Sequence, residues 1–363
     1  MTTSASTTPL QRGLGAAKTF SRGPHRAALV VSLLVSLFAA LFVTSYSLAM
    51  GNPQPHDIPI GVVSDSVTPD ELGASLEKAT GTTFLVSGYP SADAAKQALD
   101  QQQIYAALVT AGGSAGSELY ISSASGSSIA KVISAEAAQL GASLGVQITV
   151  TDLNPLRPDD PSGLVLFYLA LASTIIGFVG AIQTRVNASG MTIVGELAWD
   201  AGRAALVGLV ITLTTGPVLG FETFPLVPVW GVLAMTVFIA GAVYNFFRVI
   251  VGGKWALMPT WIIFILISNP SSGGAVAPQL LPPFYEFMGR WMPTGATVRA
   301  LRDLAYFPEA VHPEPYVVLG LWLVGATGAF VLARRIRFGF GRVEKQEKKT
   351  AETAEVAEVA TQP

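Results

Sequence analysis

The stretch AALVVSLLVSLFAALFVTSYSLAM, residues 27–50, contains no Asp, Glu, Lys or Arg. A helix needs roughly 20 apolar residues to cross about 30 Å of hydrocarbon, so this stretch predicts a membrane-spanning helix. The composition of the whole chain agrees with this prediction. Of all residues, 50% are hydrophobic and 13% are charged, whereas about 25% are charged in an ordinary soluble domain. The sequence therefore predicts an integral membrane protein.

Five further stretches without a charged residue are long enough to cross a membrane. They are residues 162–184, 204–221, 223–247, 255–285 and 315–333. The first stretch could instead be a signal peptide that ends at Ser47-Leu48-Ala49, but its apolar run exceeds the roughly 7 to 15 residues of a signal peptide. We therefore expect a retained anchor and six spans. The absence of charge from these six stretches disfavours a proton-coupled carrier, which usually needs an intramembrane carboxylate.

The distribution of Lys and Arg predicts the orientation of the chain. If the N-terminus is cytoplasmic, 15 of the 22 basic residues fall in cytoplasmic segments, as the positive-inside rule requires. Both termini are then cytoplasmic, and we expect a multi-pass protein of a plasma membrane, most simply a bacterial one. The predicted regions are a cytoplasmic N-terminus (1–26), a first span (27–50), an extracytoplasmic domain (51–161), five further spans (162–333) and a disordered cytoplasmic tail (334–363).

The predicted extracytoplasmic domain holds 12 acidic and four basic residues, and this negative charge argues against nucleic acid as a partner. Strand-like runs at 58–63, 83–86, 104–109, 119–122 and 146–150 alternate with helix-like runs at 69–79, 92–102 and 129–144. Such alternation predicts an α/β domain with a largely parallel sheet. Because the chain has no cysteine, the domain has to be held together by its own apolar core.

Motifs of enzyme chemistry are weak. The three histidines are scattered and there is no cysteine, so no zinc-ligand spacing exists. Residues 141–145 fit G-x-S-x-G, but they close a helix-like run where a nucleophile elbow should open one. Gly252-Gly253-Lys254 lacks the upstream glycine of a P-loop. We expect no catalytic residue, no metal and no cofactor, and any ATP that drives this protein has to bind to another chain.

Residues 184–203, between the second and third predicted spans, read as an amphipathic helix. Ile193, Leu197 and Ala201 share one face, whereas Glu196, Asp200 and Arg203 fall elsewhere. Such a helix suits the membrane surface or a protein partner. The alternative is a helix that merely connects two spans along the interface.

Residues 270–307 follow the fifth predicted span and are unusually apolar for an outer segment. The aromatic face Phe284, Phe287 and Trp291 is interrupted by prolines, including Pro293. This pattern predicts a re-entrant hairpin of two short helices, shielded by neighbouring spans, and the alternative is an interfacial helix with an aromatic belt. Arg299 and Asp303 have the i, i+4 spacing that lets side chains meet on a helix. We take these six residues as a candidate outer gate.

Three stretches carry a resemblance to a known family. They are IPIGVVSDS (58–66), YPSADAAKQALDQQQIYAALVT (89–110) and NPSSGGAVAPQLLPPFYEFMGRWMPTGATVRALRD (269–303). With the order of spans and outer domain, the chain resembles the ABC-2-type exporter permeases and, within them, the YhgE/Pip-like group. The resemblance implies a dimer of permeases in a lipid membrane and separate cytoplasmic ATPases that press on a helix between the second and third spans.

In this chain the coupling helix would be residues 184–203, and Glu196, Trp199, Asp200 and Arg203 become candidate ATPase contacts. Two functions remain open at this point. The first is a permease subunit that exports an apolar or amphipathic compound. The second is an envelope scaffold or secretion-system accessory protein that transports nothing.

Overall fold

A computed structural model describes residues 24–64, 68–81, 84–110, 117–144, 147–221 and 224–339. It shows a mostly helical chain with one small mixed sheet, and five of the described helices are long and apolar enough to cross a membrane. This architecture is that of a polytopic membrane protein. The predicted cytoplasmic N-terminus lies outside the described residues up to residue 23, and so does the predicted tail from residue 340 onward.

The described segments form eleven α-helices and five strands. The helices are α1 Pro24–Met50, α2 Pro69–Thr80, α3 Ala92–Asp100, α4 Ser127–Leu144, α5 Val165–Asn187, α6 Ile193–Leu213, α7 Leu226–Val251, α8 Leu257–Trp261, α9 Pro283–Trp291, α10 Pro293–Tyr306 and α11 Glu314–Phe338. The strands are β1 Ile58–Val63, β2 Phe84–Gly88, β3 Ala106–Val109, β4 Ser117–Ile121 and β5 Ile148–Asp152. Helices α6 and α8 continue in wider π-helical turns, Thr214–Val218 and Ile262–Ser268 respectively, and a 3₁₀ turn covers Pro278–Leu280.

The five strands and α2 to α4 form one α/β domain. The strand order is β2-β1-β3-β4-β5, and only the β3–β4 pairing is antiparallel. Local sequence explains where α2 begins, because the side chains of Thr68 and Glu71 cap each other's backbone N–H groups and Pro69 follows the cap. The helix ends at Gly81, whose φ of 70° lies in the left-handed region that favours glycine.

Helices α5, α6, α7, α10 and α11 pack around one apolar core. Glycine permits the closest crossings: a Cβ at Gly177 on α5 would lie 2.6 Å from the carbonyl oxygen of Val237 on α7. A Cβ at Gly208 on α6 would lie 2.8 Å from the backbone nitrogen of Ala234. These glycines therefore serve the close packing of helices inside the bundle.

Contacts at one end of the bundle fix the relative directions of its helices. Arg248 near the end of α7 and Arg334 near the end of α11 both contact Glu196 in the first turn of α6. Helices α7 and α11 therefore run parallel to each other and antiparallel to α6. It follows that residues 252–313 carry the chain from this end of the bundle to the opposite end.

The fifth predicted span, 255–285, differs from the structure. Its helix covers only Leu257–Ser268, the five residues of α8 and the seven of the following π-helix. At 1.5 Å per residue such a segment reaches at most about 18 Å, well short of about 30 Å of hydrocarbon. Pro270 lacks an N–H group to continue the helix, and Gly273 has a φ of 71°. Two short helices, α9 and α10, follow the irregular segment, and Met292 in extended backbone separates them.

The third predicted span and the predicted amphipathic helix also differ from the structure, because they are one element. Helix α5 continues to Asn187, the chain turns through Gly190 with a φ of 78°, and α6 begins after its N-cap Thr192. Helix α6 then includes Glu196, Asp200 and Arg203. The helix that contains the third predicted span is therefore longer than that span at its N-terminal end and includes these three charged residues. The last helix likewise continues through Arg334 to Phe338, beyond the predicted end of the span at residue 333.

The α/β domain docks on the end of the bundle opposite to Glu196. The linker after α1 is held by backbone hydrogen bonds, since Gln54 and His56 donate N–H groups to the carbonyls of Leu280 and Gln279. Ala277 and Leu280 belong to the apolar core of the α/β domain itself. The segment before α9 thus joins the domain to the bundle.

Candidate functional site

Two polar sites lie at opposite ends of the bundle. The charged cluster, at the start of α6, consists of Arg185, Glu196, Asp200, Arg203, Arg248 and Arg334. The interface cavity, about 250 Å³, lies between the α/β domain and helices α9 to α11. Among the described residues no group of His, Asp or Glu could hold a metal ion.

Two carboxylates form the centre of the charged cluster. Asp200 lies 2.8 Å from Arg185 and 3.0 Å from Arg203, and it also accepts a hydrogen bond from Asn245 at 2.7 Å. Glu196 lies 2.8 Å from Arg334 and 3.0 Å from Arg248. The two carboxylates are 2% and 3% exposed. A buried charge is tolerated only when it is paired and hydrogen-bonded, and both conditions are met here.

The cluster ties together the ends of four helices, because its arginines come from α5, α6, α7 and α11. Two glycines make room for one of them: a Cβ at Gly180 would lie 2.9 Å from Cδ of Arg203, and one at Gly241 would lie 2.8 Å from its Nη2. The four guanidinium groups outnumber the two carboxylates. The cluster therefore carries excess positive charge, and any change in the position of α6 has to move three neighbouring helices or break ion pairs.

The structure separates the four candidate ATPase contacts. Glu196 and Asp200 are buried, and Arg203 is largely buried against α5 and α7. Only Trp199 is open, with 65% of its surface exposed. The two carboxylates point inward because arginines from neighbouring helices neutralise them. In the sequence, Arg185, Arg248 and Arg334 were evidence only for the orientation of the chain. Each of these arginines lies at the end of an apolar run, and this position close to two acidic residues was the signal for the charged cluster.

Buried polar side chains lie where the helix Leu257–Ser268 ends, just before the residues that line the interface cavity. Ser268 donates its hydroxyl to Oγ1 of Thr294 at 2.8 Å, and Asn269 bonds to the hydroxyl of Tyr46 on α1. The next residues, Ser271 and Ser272, are 1% and 2% exposed. Buried polar groups therefore replace the helix at this depth of the bundle.

The cavity itself is lined from three sides. The α/β domain contributes Gln102 and Tyr105, the segment before α9 contributes Ser271 and Gln279, and α10 contributes Arg302 and Asp303. The hydroxyl of Tyr105 donates to Oε1 of Gln279 at 2.9 Å, and burial raises the pKa of this tyrosine. Sequence patterns contain no signal for this cavity, because the lining residues meet only when the domain docks on the bundle.

The six candidate gate residues do not form one surface. Phe284, Phe287 and Trp291 are 54%, 60% and 47% exposed, and the residue of α9 that lines the cavity is Gly289. The aromatic face thus points away from the cavity. Pro293 is buried at the first position of α10, where its missing N–H group costs no helical hydrogen bond.

The expected Arg299–Asp303 pair does not form between these two described residues, because each has other partners. Arg299 donates to the carbonyl oxygens of Gly289 and Arg290, at 3.0 and 2.8 Å. It thereby satisfies carbonyl groups at the end of α9. Asp303 accepts hydrogen bonds from Nε2 of Gln102 and from the backbone N–H of His312, both at 2.8 Å.

Comparison with known proteins adds no relative: no family model, no curated protein and no solved structure matches this chain.

Proposed function

We propose that the protein is the permease subunit of an ABC-2-type exporter that moves an apolar or amphipathic compound outward, powered by a separate cytoplasmic ATPase. The observation that carries this proposal is the interrupted helix Leu257–Ser268, which ends in buried polar residues beside the interface cavity. At membrane depth, non-helical backbone is tolerated only where protein or a water-filled cavity surrounds it, as in the broken helices of transporters. A protein that only anchors a domain needs no such interruption.

The topology that we propose places the charged cluster in the cytoplasm and the α/β domain outside, in a bacterial plasma membrane. The five long helices and the interrupted segment then make six crossings, with α9 and α10 as a re-entrant hairpin. The cysteine-free chain allows a direct test with single cysteines at two exposed positions, Ala74 in α2 and Ser189 before α6. An impermeant thiol reagent added to intact cells should label Ala74→Cys and spare Ser189→Cys. Labelling of Ser189→Cys alone would invert this topology.

The charged cluster supports a coupling role in this proposal. An ATPase that pushes on the turn before α6 would move four helix ends together, because buried ion pairs join them. Trp199 is the exposed candidate for the contact itself. Glu196 and Asp200 then position α6 from within and do not touch the partner.

The test is to purify the protein from its native membrane and to assay the eluate for an ATP-hydrolysing chain. Trp199→Ala should reduce the ATPase activity that co-elutes, without loss of folded protein. Trp291→Ala is the matched control. Trp291 is also an exposed tryptophan, and it lies on α9 at the other end of the bundle. A native mass of the complex would also show whether two permeases are present, as we propose.

The scaffold function predicts a different result. A scaffold yields no co-eluting ATPase, and vesicles that contain the protein show no ATP-dependent flux of an amphipathic dye. If both assays are negative while the protein is folded, the exporter proposal fails.

A further inference from the structure

The interface cavity contains two acidic and two basic residues whose hydrogen bonding differs. Both acids are compensated: Asp303 accepts from Gln102 and His312, and Glu314 forms an ion pair with Arg290 at 2.9 Å. Neither carboxylate is therefore free. A positively charged ligand would find both of them already paired.

The basic side chains of the cavity have N–H donors that form no hydrogen bond with the protein. Arg302 forms one hydrogen bond, to the carbonyl oxygen of Gly273 at 3.0 Å, and no carboxylate of the described residues lies within ion-pair distance of it. Arg302 is enclosed by protein on most sides. The part of its surface that remains accessible lines the cavity. A guanidinium group has five N–H donors, so most of the donors of Arg302 remain available.

Two further donors on the cavity wall lack partners. The hydroxyl of Ser271 is buried, with 1% of the residue exposed, and finds no hydrogen-bond partner among the described residues. The Nε–H group of Arg299 is also buried, and it likewise has no hydrogen-bond partner among the described residues. An unsatisfied buried polar group costs about 1–3 kcal/mol. Three groups with unused donors around one cavity are thus complementary to an acceptor that carries negative charge.

We propose that the interface cavity binds a phosphate group, with Arg302 as the principal ligand and Ser271 as a second donor. The planar guanidinium matches the oxygens of a phosphate and forms short, charge-assisted hydrogen bonds with them. A cavity of about 250 Å³ holds more than the phosphate alone, so the ligand is a phosphate with a small attached group. Arg299 is a positioning residue, since two of its donors hold the end of α9.

The position of the cavity favours the headgroup of a phospholipid. Glu314 and Pro315 begin the long apolar helix α11 and line the cavity, so the cavity lies at the level where this helix enters the apolar layer. Headgroup phosphates of a bilayer lie at that level, and basic pockets between membrane helices bind anionic headgroups. The inference does not depend on transport, because a scaffold could bind a lipid at the same place.

The test is a titration of the full-length protein, purified in a nonionic detergent, with three probes. The probes are short-chain phosphatidylglycerol, inorganic phosphate and a diacylglycerol of the same chain length, and bound molecules are counted by native mass spectrometry. Phosphatidylglycerol should bind and diacylglycerol should not. Arg302→Gln should weaken binding by about tenfold or more, because it removes charge-assisted hydrogen bonds. Lys131→Gln, which removes an exposed positive charge of α4 outside the cavity lining, should leave binding within about twofold.

Each outcome decides the proposal. Binding of phosphatidylglycerol alone identifies a headgroup site, and equal binding of inorganic phosphate identifies a site for free phosphate. Equal binding of diacylglycerol, or full binding by Arg302→Gln, would overturn the proposal. If Arg302→Gln does not fold, Ser271→Ala and Arg302→Lys take its place: the first should weaken binding by removing one donor, and the second should retain part of it. Full affinity of Ser271→Ala together with Arg302→Lys would also overturn it.

Discussion

The two ends of the helix bundle use the same residue types in opposite ways. In the charged cluster, Glu196 and Asp200 each have at least two arginine partners within 3.0 Å. At the interface cavity, Arg302 has no carboxylate partner among the described residues, although acids lie nearby. Buried ion pairs hold one arrangement of helices, even though several N–H groups of Arg203, Arg248 and Arg334 have no hydrogen-bond partner among the described residues. At the other end, donors of an arginine without a carboxylate partner face a cavity and leave capacity for a ligand. Under the two proposals made above, the first is a mechanical end and the second is a binding end.

The largest loss of stability is predicted when one carboxylate is removed from the charged cluster. Glu196→Gln keeps the shape of the side chain but leaves the buried Arg334 and the partly buried Arg248 without an ionic partner. Breaking a buried ion pair on one side costs about 3–5 kcal/mol. We therefore expect a large loss of thermal stability and of folded protein in detergent, measured by the melting transition and by size-exclusion chromatography.

The control for this prediction is Glu314→Gln at the other end. Glu314 pairs with Arg290, and the two side chains are 44% and 65% exposed, so the expected change is about 0–1 kcal/mol. Equal losses of stability in the two variants would show that the buried ion pairs of the charged cluster stabilise the fold no more than an exposed ion pair does.

A second prediction concerns the packing at the binding end. A Cβ at Gly289 would lie 1.9 Å from the carbonyl oxygen of Ser271, and backbone atoms have little room to yield. Overpacking of this kind costs about 1–3 kcal/mol. Gly289→Ala should lower the melting temperature and displace Ser271, so that phosphatidylglycerol binding also weakens.

The matched control is Gly320→Ala in α11. A Cβ at Gly320 meets nothing within 4 Å, and alanine is a better helix former than glycine by about 1 kcal/mol. This variant should be neutral or slightly more stable. A neutral result for Gly289→Ala would mean that α9 does not pack tightly on the cavity wall.

Sequence patterns predict the parts of this fold that depend on local chemistry. Alternating apolar residues place β1 at Ile58–Val63 with the bounds that the structure has. The pair Thr68-Pro69 marks the start of α2 for a similar reason, since capping is decided within one turn of helix. The long apolar helices α5, α7 and α11 follow from hydropathy alone.

The same patterns fail where distant residues decide the structure. A charge-free stretch indicates apolar surroundings, but it does not report that Pro270 and Gly273 interrupt the backbone after Ser268. Glu196 and Asp200 read as exposed charges, because the arginines that neutralise them come largely from other helices. The interface cavity is hidden for the same reason, since Gln102 and Asp303 are far apart in sequence and meet only across the docked domain.

The smallest expected effect comes from His56, which joins the linker after α1 to the binding end. Its Nε2 lies 3.2 Å from Oε2 of Glu286 on α9, and its Nδ1 lies 2.9 Å from the carbonyl oxygen of Gln54. Burial by itself would lower the pKa of His56, but the hydrogen bond to Gln54 and the charge of Glu286 outweigh it, so the pKa is raised. A raised pKa in the folded state means that the protonated ring stabilises the fold. This contribution is complete below the unfolded-state pKa of about 6.5 and is lost as the pH rises through the folded-state pKa.

The melting temperature of the wild type should therefore exceed that of His56→Gln at pH 5.5, and the difference should shrink towards pH 8.5. The imidazole is partly open to solvent, so we expect no more than about 1 kcal/mol at the acidic end. Glu286→Gln removes the charge that holds the proton, and the pH dependence of the difference should be reduced in that background. A difference that grows with pH would show that the neutral ring makes the stabilising contact. The linker would then be held mainly by its backbone hydrogen bonds to Gln279 and Leu280, and the binding end would not respond to pH through His56.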